Sequence, residues 1–480
     1  MTGPVPPELA ELLKRFGQSH LLRWWDELDA SQRKRLLQDV ASVDFELVAG
    51  LTASGDEESQ SADNAVSHAA MAERAEQPAN LLQLSQRQAD PAEETQAACV
   101  GEQLLAAGRV GAILVAGGQG TRLGFDDPKG TFPIGPVTGR SMFQIFAEQL
   151  LARSRKAGAT IPYFVMTSRA THDQTLSFFE SHEFFGLPRD SVFFFSQQSM
   201  PAVDAASGRI LLSGKDRIAL SPDGHGGMLA ALQRADLFAE MRRRGIEHLF
   251  YHQVDNPATV VCDPAFLGHH VQRGSEMSTK VVAKTSPDEA MGVVVSVDGR
   301  TRIIEYSDLP KHLKVKTDDE SRLWFRAGNT AIHAFDVRFL ERMAADSAAL
   351  PFHMARKRVP HIDDVGDPVK PATENAWKFE RFIFDVLPRA RNALVMEVDR
   401  CCEFLPVKRS EGSDSPAASR AGLIQLYERW LAEAGIDVCG GAPVEISPLF
   451  ALDAQELLSR NLDGAAVHRA TVFDADGPHA

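Results

Sequence analysis

Short apolar stretches alternate with amphipathic segments of helical length through the middle of the chain, from Val110 to about Val395. Apolar runs of this kind predict buried strands, and the segments between them predict crossover helices. The alternation therefore predicts a mostly parallel sheet with helices on both faces. The predicted strands are Gly111–Val115, Tyr163–Met166, Val192–Phe195, Leu249–Val254, Ser278–Ala283, Gly292–Val297 and Ala331–Phe335, and the predicted helices are Met142–Lys156, Asp173–Glu180 and Gly227–Arg244.

The pattern changes on both sides of this region. Apolar residues at helical spacing predict two amphipathic helices over residues 8–48, and the stretch from Ala53 to Ala98 is rich in Ala, Glu, Gln, Ser and Asp, which is typical of a polar linker. After Met396 we expect a helix near Leu423–Ala434 and a short, Gly-rich end. The chain is thus predicted to comprise a helical N-terminal unit (1–52), a polar linker (53–98), an α/β catalytic domain (99–395) and a small C-terminal domain (396–480).

Composition narrows the class of protein without identifying it. The 480 residues are 44% hydrophobic and 24% charged, as in an ordinary globular protein. A net charge of −14 argues against a general nucleic-acid partner. The five cysteines form no C-x-x-C pair, so neither a disulfide framework nor a zinc site is indicated. With no signal-peptide pattern and no apolar run of membrane-spanning length, we expect no membrane association and a cytoplasmic location.

The most informative segment follows the first predicted strand. It reads LVAGGQGTRLGFDDPKG from Leu114 to Gly130 and contains four glycines within eight residues, together with Arg122 and Lys129. Glycines behind a strand let backbone N–H groups approach phosphates, and the two cations add positive charge there. The segment predicts a nucleoside triphosphate site.

Two better-known phosphate motifs do not fit this segment. The dinucleotide fingerprint G-x-G-x-x-G fails because position 123 is leucine and Gly124 comes one place late. The P-loop ending G-K-[ST] fails because the order here is Lys129, Gly130, Thr131. A dinucleotide-dependent oxidoreductase is accordingly disfavoured.

The whole segment resembles the signature LxxGGxGTRLGxxxPKG of UDP-sugar pyrophosphorylases, and it is most similar to the eukaryotic-type UDP-N-acetylhexosamine pyrophosphorylase group. The resemblance extends over roughly Ala107 to Phe450. It implies a Rossmann-like, glycosyltransferase-A-like α/β fold and a reaction in which a sugar 1-phosphate attacks the α-phosphorus of UTP, releasing pyrophosphate with the help of Mg²⁺. UTP and a sugar 1-phosphate are then the expected partners.

The attacking group in this reaction needs no general base, because the second pKa of a phosphate monoester is about 6. The enzyme must instead align two anions and cancel their charge. The resemblance implies a metal-binding aspartate, Asp255, in the triplet VDN, and four catalytic cations, Arg122, Lys129, Lys378 and Lys408. In this interpretation Lys378 opens a helix-like segment and, like Lys408, neutralises the incoming sugar phosphate.

The resemblance also assigns the residues that would recognise the two substrates. Nucleotide contacts are expected from the first glycine-rich loop, from a glutamine that would read the base and from a second glycine-rich turn: Leu114, Gly117, Gly118, Gln119, Gly120, Gln198, Gly224 and His225. Sugar hydroxyls are expected to meet Gly292, Glu305 and Asn329, since a carboxylate and an amide together satisfy groups that both donate and accept.

His225 departs from the N-acetylhexosamine pattern, which has asparagine at this position. The string PDGHGG instead shares its G-H-G with UDP-glucose pyrophosphorylases. N-acetylglucosamine 1-phosphate is the predicted acceptor, with glucose 1-phosphate or a broad range of sugar 1-phosphates as the alternative. A UDP-sugar sensor without turnover is a further alternative, disfavoured because Arg122, Lys129 and Asp255 are all present.

Overall fold

The computed structural model describes residues 4–53, 69–346, 348–460, 462 and 466–479. The described residues form two compact units. The smaller unit falls within Met1–Ala70, Gln197–Met228 and Leu350–Asp385, and the larger within Met71–Ser196, Leu229–Ala349 and Val386–Ala480. The predicted four-part division of the chain stays a prediction.

A ten-stranded mixed sheet forms the centre of the larger unit. Its main path runs β1-β10-β6-β9-β5-β2-β3-β4, and β7 pairs with both β8 and β9. Along this path every pair is parallel except those made by β9, which is antiparallel to β5 and β6. The strands are β1 (Leu81–Leu82), β2 (Val110–Val115), β3 (Tyr163–Thr167), β4 (Val192–Ser196), β5 (His248–Gln253), β6 (Met277–Ala283), β7 (Val293–Val297), β8 (Arg300–Ile304), β9 (Ala327–Asp336) and β10 (Ala393–Glu397).

The predicted α/β class with a mostly parallel central sheet is confirmed, and all seven predicted strands are present to within a few residues. Strands such as β2 and β3 are buried along almost their whole length because helices cover both faces of such a sheet. The helices of this unit are Leu84–Ala89, Pro91–Ala106, Met142–Ala157, His172–Ser181, Met228–Arg234, Leu237–Arg244, Pro264–Gln272, Lys311–Lys314, Val337–Ala345, Arg400–Glu403, Pro416–Glu433 and Ala454–Leu458.

One predicted helix and part of the predicted linker differ from the sequence interpretation. The helix predicted over 227–244 is two helices, because Asp236 adopts a left-handed conformation with φ of 52° between them. Within the predicted linker, 54–68 lie outside the described residues, whereas Leu81–Leu82 pairs with β10 and Pro91–Ala106 packs on Pro264–Gln272. Gly101 and Gly268 allow that packing: a Cβ atom at Gly268 would lie 1.7 Å from the Ala97 carbonyl oxygen.

The smaller unit has three N-terminal helices, Pro7–Arg15, Ala30–Ala41 and Phe45–Ala53, where two were predicted. Asp29 starts the second helix with a reciprocal capping box to Gln32. Apolar residues of these helices share a core with short strands of the same unit. The short strands of this unit are Ser199–Pro201, Val203–Asp204, Leu212–Gly214, Arg217–Ile218, Leu220–Pro222, His353–Lys357, His361–Ile362, Pro368–Val369 and Ala376–Glu380.

The C-terminal residues belong to the larger unit. The strands Val444–Ile446, Thr471–Asp474 and Gly477–His479 form a separate small sheet, and the helix Pro416–Glu433 contributes Leu423 and Leu431 to the same core as the main sheet. Over the described part of the chain, no helix is both long enough and apolar enough to cross a bilayer.

Candidate active site

The first glycine-rich loop leaves β2 and folds back on itself. The Lys129 N–H donates to the Gly118 carbonyl at 3.1 Å, and the Gly120 N–H donates to the Asp127 carbonyl at 3.0 Å. Gly120 has to be glycine, since a Cβ atom there would lie 2.8 Å from the Phe125 carbonyl oxygen. These bonds fix the lysine of the Pro128–Gly130 turn against the start of the loop.

The predicted nucleotide residues of this loop differ in accessibility. Leu114 lies within β2 and its side chain is fully buried, and Gly117 is also buried. Gly118 and Gln119 are exposed at the carboxyl end of the strand. Ligands of open α/β sheets bind at that end.

Lys129 and Asp255 meet at this edge of the sheet. Asp255 follows β5, the neighbour of β2, and its Oδ2 lies 3.9 Å from Lys129 Nζ. The Asp255 side chain is 20% exposed and the Lys129 side chain 15% exposed. Burial lowers the pKa of Lys129, Asp255 raises it, and the charges of Lys408 and Arg122 lower it further, so that the net shift is downward. Lys129 and Asp255 thus lie together, and the charges of Arg122 and Lys408 act on the same lysine; we call these four residues the charged cluster.

The lowered pKa gives a direct test of the charged cluster. The Lys129 side chain carries its positive charge below its pKa and loses it as the pH rises. We expect competitive acetylation, read by mass spectrometry across pH 7 to 11, to show half-titration of Lys129 below the ordinary value of 10.5. Asp255→Asn removes the carboxylate that raises this pKa, so the midpoint should then fall further. A midpoint at or above 10.5 in the unsubstituted protein would contradict the geometry.

The predicted sugar residues also lie together, in the segment from β7 to β9. The Asn329 backbone N–H donates to the Gly292 carbonyl at 2.9 Å, and a Cβ atom at Gly292 would lie 3.0 Å from Glu305 Oε1. Asn329 lies at an irregularity in β9, where the pairing with β6 shifts register and Ala331 has φ of 58°. Bulges of this kind redirect side chains and are frequent beside active sites.

The other residues predicted to bind the nucleotide, Gln198, Gly224 and His225, lie in the smaller unit. The Gln198 carbonyl accepts from the Asp223 N–H at 3.0 Å, which ties the glutamine to the second glycine-rich turn. Gly224 has φ of +82°, and a Cβ atom there would lie 2.5 Å from the Arg381 carbonyl oxygen, so only glycine fits. The turn therefore packs tightly against the backbone of Arg381. The Arg381 guanidinium also forms an ion pair with the Asp223 carboxylate at 2.7 Å.

His225 is held by the same part of the smaller unit. Its Nδ1 accepts from the Ile383 N–H at 3.1 Å, and the rings of Phe382 and Phe384 lie 5.4 and 5.5 Å from its ring. Because Nδ1 accepts a hydrogen bond, the neutral ring carries its proton on Nε2. The predicted contact residue is thus a fixed ring with a defined tautomer.

The predicted setting of Lys378 is wrong. This lysine lies in the strand Ala376–Glu380, paired opposite Ala355, rather than at the start of a helix. The apolar residues after it suggest a helix, but Trp377 and Phe379 lie on one face of the strand with Lys378 on the other, and a 3₁₀ helix begins only at Ile383. The structure places Lys378 in the smaller unit, whereas the charged cluster belongs to the larger one.

A protein-family model described as UTP–glucose-1-phosphate uridylyltransferase matches residues 59–419. The chain belongs to this family. It is therefore a nucleotidyltransferase, as the signature loop predicts, and reactions of the family generally use a divalent metal.

Curated relatives and a solved structure agree with this assignment. The human UDP-N-acetylhexosamine pyrophosphorylase-like protein 1 is 35% identical over 88% of this chain and 85% of its own length. The UDP-N-acetylglucosamine pyrophosphorylase of Saccharomyces cerevisiae is 35% identical over 79% of this chain and 80% of its own. The crystal structure of the Trypanosoma brucei uridine diphosphate N-acetylglucosamine pyrophosphorylase matches with a TM-score of 0.78 and 26% identity, over 96% of both chains.

The charged cluster of this uridylyltransferase fits a divalent ion held jointly with substrate. Asp255 is a partly exposed carboxylate at a strand end, and no group of three or more His, Cys, Asp or Glu side chains suited to a metal occurs within the described residues. One protein carboxylate is enough when phosphate oxygens supply other ligands, as is typical of Mg²⁺. The donor set therefore fits a metal bound together with a polyphosphate.

Sequence reasoning overlooked two polar features beside this cluster. Asn256, directly after Asp255, is 3% exposed and bonds to the backbone that leads to Lys408. Lys280 is fully buried in β6 and pairs with Asp263 at 2.6 Å and with Glu403. For Lys280, the one signal in the sequence was a lysine within the predicted buried strand MSTKVVA, since a buried lysine requires a carboxylate partner.

The histidine closest in sequence to Asp255 is enclosed in the core of the sheet. His252 is fully buried in β5, where it packs on the Phe146 ring at 4.7 Å, and burial lowers its pKa to about 3. It is therefore neutral at physiological pH.

Proposed function

We propose that this chain makes UDP-N-acetylglucosamine and pyrophosphate from UTP and N-acetylglucosamine 1-phosphate, with Mg²⁺ as the metal. The charged cluster carries the proposal: Lys129 lies 3.9 Å from Asp255 at the carboxyl edge of the sheet, and the charges of Lys408 and Arg122 act on the same lysine. The names of the relatives favour the acetamido sugar as acceptor.

In the proposed reaction an oxygen of the sugar 1-phosphate bonds to the α-phosphorus of UTP, and the bond from that phosphorus to the bridging oxygen of pyrophosphate breaks. The electron pair stays on the pyrophosphate, so no proton has to move. Magnesium, held by Asp255, would reduce the negative charge of the triphosphate. Lys129 and Arg122 would hold the triphosphate of UTP, and Lys408 the sugar phosphate; the role of Lys378 stays a prediction.

The fixed position of Lys129 matters because phosphoryl-type transfer depends on alignment and charge stabilisation. Its backbone is tied to Gly118, and its amine lies beside Asp255, so little reorganisation is required when the triphosphate binds. Glu305 and Asn329 would accept from and donate to sugar hydroxyls, and Gln198 with the Gly224 backbone would read uracil.

Glucose 1-phosphate is the second candidate acceptor, and His225 is the observation that favours it. Its Nε2–H is a donor on a ring fixed by Ile383 and two phenylalanines. An asparagine would offer both a donor and an acceptor at this position. The G-H-G sequence is shared with UDP-glucose pyrophosphorylases, so the identity of the acceptor depends on this turn.

The first experiment measures pyrophosphate release from UTP and Mg²⁺ with N-acetylglucosamine, glucose and galactose 1-phosphates separately. We expect the acetamido sugar to give the highest kcat/KM. A preference for glucose 1-phosphate would transfer the assignment to the second candidate, and no turnover with any of the three would contradict the proposed reaction.

The expected cytoplasmic location remains a prediction.

His225→Asn is expected to change the preference between sugars rather than overall turnover. One altered hydrogen-bonding group at a sugar contact should move the ratio of kcat/KM for the acetamido sugar over glucose by about 10-fold, in favour of the acetamido sugar. His361→Asn is the matched control, because His361 lies in the strand His361–Ile362 of the same unit and not in the glycine-rich turn. An unchanged ratio in His225→Asn would show that the ring does not contact the sugar.

A further inference from the structure

Asn256 joins the turn that carries Asp255 to the segment that carries Lys408. Its Nδ2 donates to the Glu403 carbonyl at 2.7 Å, and its Oδ1 accepts from the Leu405 N–H at 2.9 Å. Only one orientation of the amide satisfies both bonds, so the side chain is fixed. With 3% exposure, it has little access to water as an alternative partner.

The neighbouring backbone continues this attachment. The Val407 N–H donates to the Asp255 carbonyl at 2.7 Å, so residues 403, 405 and 407 are all bonded to the Asp255–Asn256 pair. Residues 404–408 belong to no helix or strand. Their position therefore depends on such individual bonds, unlike that of a strand within a sheet.

The beginning of the segment is secured by a second contact. The Glu403 side chain pairs with Lys280, which is fully buried and also bonds Asp263 at 2.6 Å. Glu403 thus has both its side chain and its carbonyl fixed. Lys408 follows five residues later, and its backbone N–H donates to the Asp414 carbonyl at 2.7 Å.

We propose that Asn256 is a positioning residue that sets the Lys408 ammonium relative to the Asp255 carboxylate. It contacts neither substrate, and it acts by holding the lysine segment on the aspartate turn. This inference rests on the proposed function, because it assumes that Lys408 acts on the sugar phosphate. Misplacing a charged group by about 1 Å can cost on the order of 10²-fold in rate, so the amide should matter to turnover as well as to stability.

A double-mutant cycle on kcat and KM tests the inference in the full chain. We expect Asn256→Ala to lower kcat by about 10-fold to 10²-fold in the presence of Lys408. In the Lys408→Ala background the same substitution should have little further effect, because the group that it positions is gone. A merely structural role would lower kcat by the same factor in both backgrounds, and that result would overturn the inference.

Two further variants keep this test decisive. Asn256→Asp is nearly isosteric and retains the acceptor for Leu405 while losing the donor to Glu403, so it replaces Asn256→Ala in the cycle if the alanine variant does not fold. Asn80→Ala is the matched control, since the Asn80 amide donates to the Ala393 carbonyl at 3.2 Å elsewhere in the same unit, and its kcat should be unchanged.

The outcomes separate this inference from the proposed function. If Lys408→Ala alone retains full kcat, the role of Lys408 in the proposed function is wrong, and the inference fails with it. If Lys408→Ala loses turnover while the effects of the two substitutions multiply independently, only the inference on Asn256 fails. If Asn256→Ala and Asn256→Asp both keep full kcat, Asn256 has no positioning role.

Discussion

Replacing Lys129 with alanine should lower kcat by about 10²- to 10³-fold, the usual effect of removing one group that stabilises charge in a transition state. Lys129 is the lysine whose ammonium lies beside Asp255 and whose backbone is tied to Gly118. Its charge is partly buried, and burial lowers its pKa. Folding therefore gains little from this ammonium, and the free energy of unfolding should change far less than the activation free energy.

The measurement determines two quantities for the variant and for the unsubstituted protein: kcat for pyrophosphate release and the midpoint of urea unfolding. Lys156→Ala is the control, because Lys156 is a helix lysine of the same unit that also faces a carboxylate, Glu102 at 3.8 Å, but lies on the surface. The control should keep both values. Unchanged turnover in Lys129→Ala, with the control intact, would remove the assignment of the signature loop to the triphosphate.

Replacing Asp255 with asparagine should reduce kcat by about 10³-fold at a fixed, low Mg²⁺ concentration, since metal stabilisation of phosphoryl charge contributes several kcal/mol. The substitution preserves size and keeps an oxygen donor, but it removes the negative charge that attracts a cation. Part of the loss should therefore be recovered at high Mg²⁺, and the Mg²⁺ concentration for half-maximal turnover should rise. The readout is a Mg²⁺ titration of initial rates at saturating substrates.

Asp298→Asn is the matched control for this prediction. Asp298 also comes directly after a strand, β7, and also pairs with a basic side chain, Arg74 at 3.4 Å, yet it lies outside the charged cluster. Its Mg²⁺ dependence should equal that of the unsubstituted enzyme. If Asp255→Asn shows the same Mg²⁺ dependence as this control, Asp255 is not the metal ligand.

The sequence predicted the features that depend on local pattern. Strands such as β2 and β3 are recognisable because burial on both faces requires a continuous apolar run, and the signature loop is recognisable because its glycines and cations have a fixed spacing. Lys129 and Asp255 were both predicted, and the structure places them 3.9 Å apart.

The features that the sequence did not reveal depend on tertiary contacts. The apolar pattern around Lys378 is compatible with either a helix or a strand. Pairing with the strand His353–Lys357 determines that this segment is a strand. His269 and His270 are both buried, and their partners are distant or unpredictable from the local pattern: the first bonds Glu94 at 3.0 Å and the second Ser278 at 2.7 Å. Asn256 gave no signal because its partners, Glu403 and Leu405, lie almost 150 residues away.

The antiparallel strand β9 also has a consequence for how this enzyme could diversify. Gly292, Glu305 and Asn329, which we assign to the sugar together with His225, lie in one continuous stretch of chain, 292–329, which leads from the β7–β8 hairpin into β9, whereas the charged cluster is assembled from three distant places. Most of the proposed acceptor residues can therefore be exchanged as a single segment. Grafting this single stretch between relatives offers a route to new UDP-sugars that leaves the machinery for the triphosphate in place.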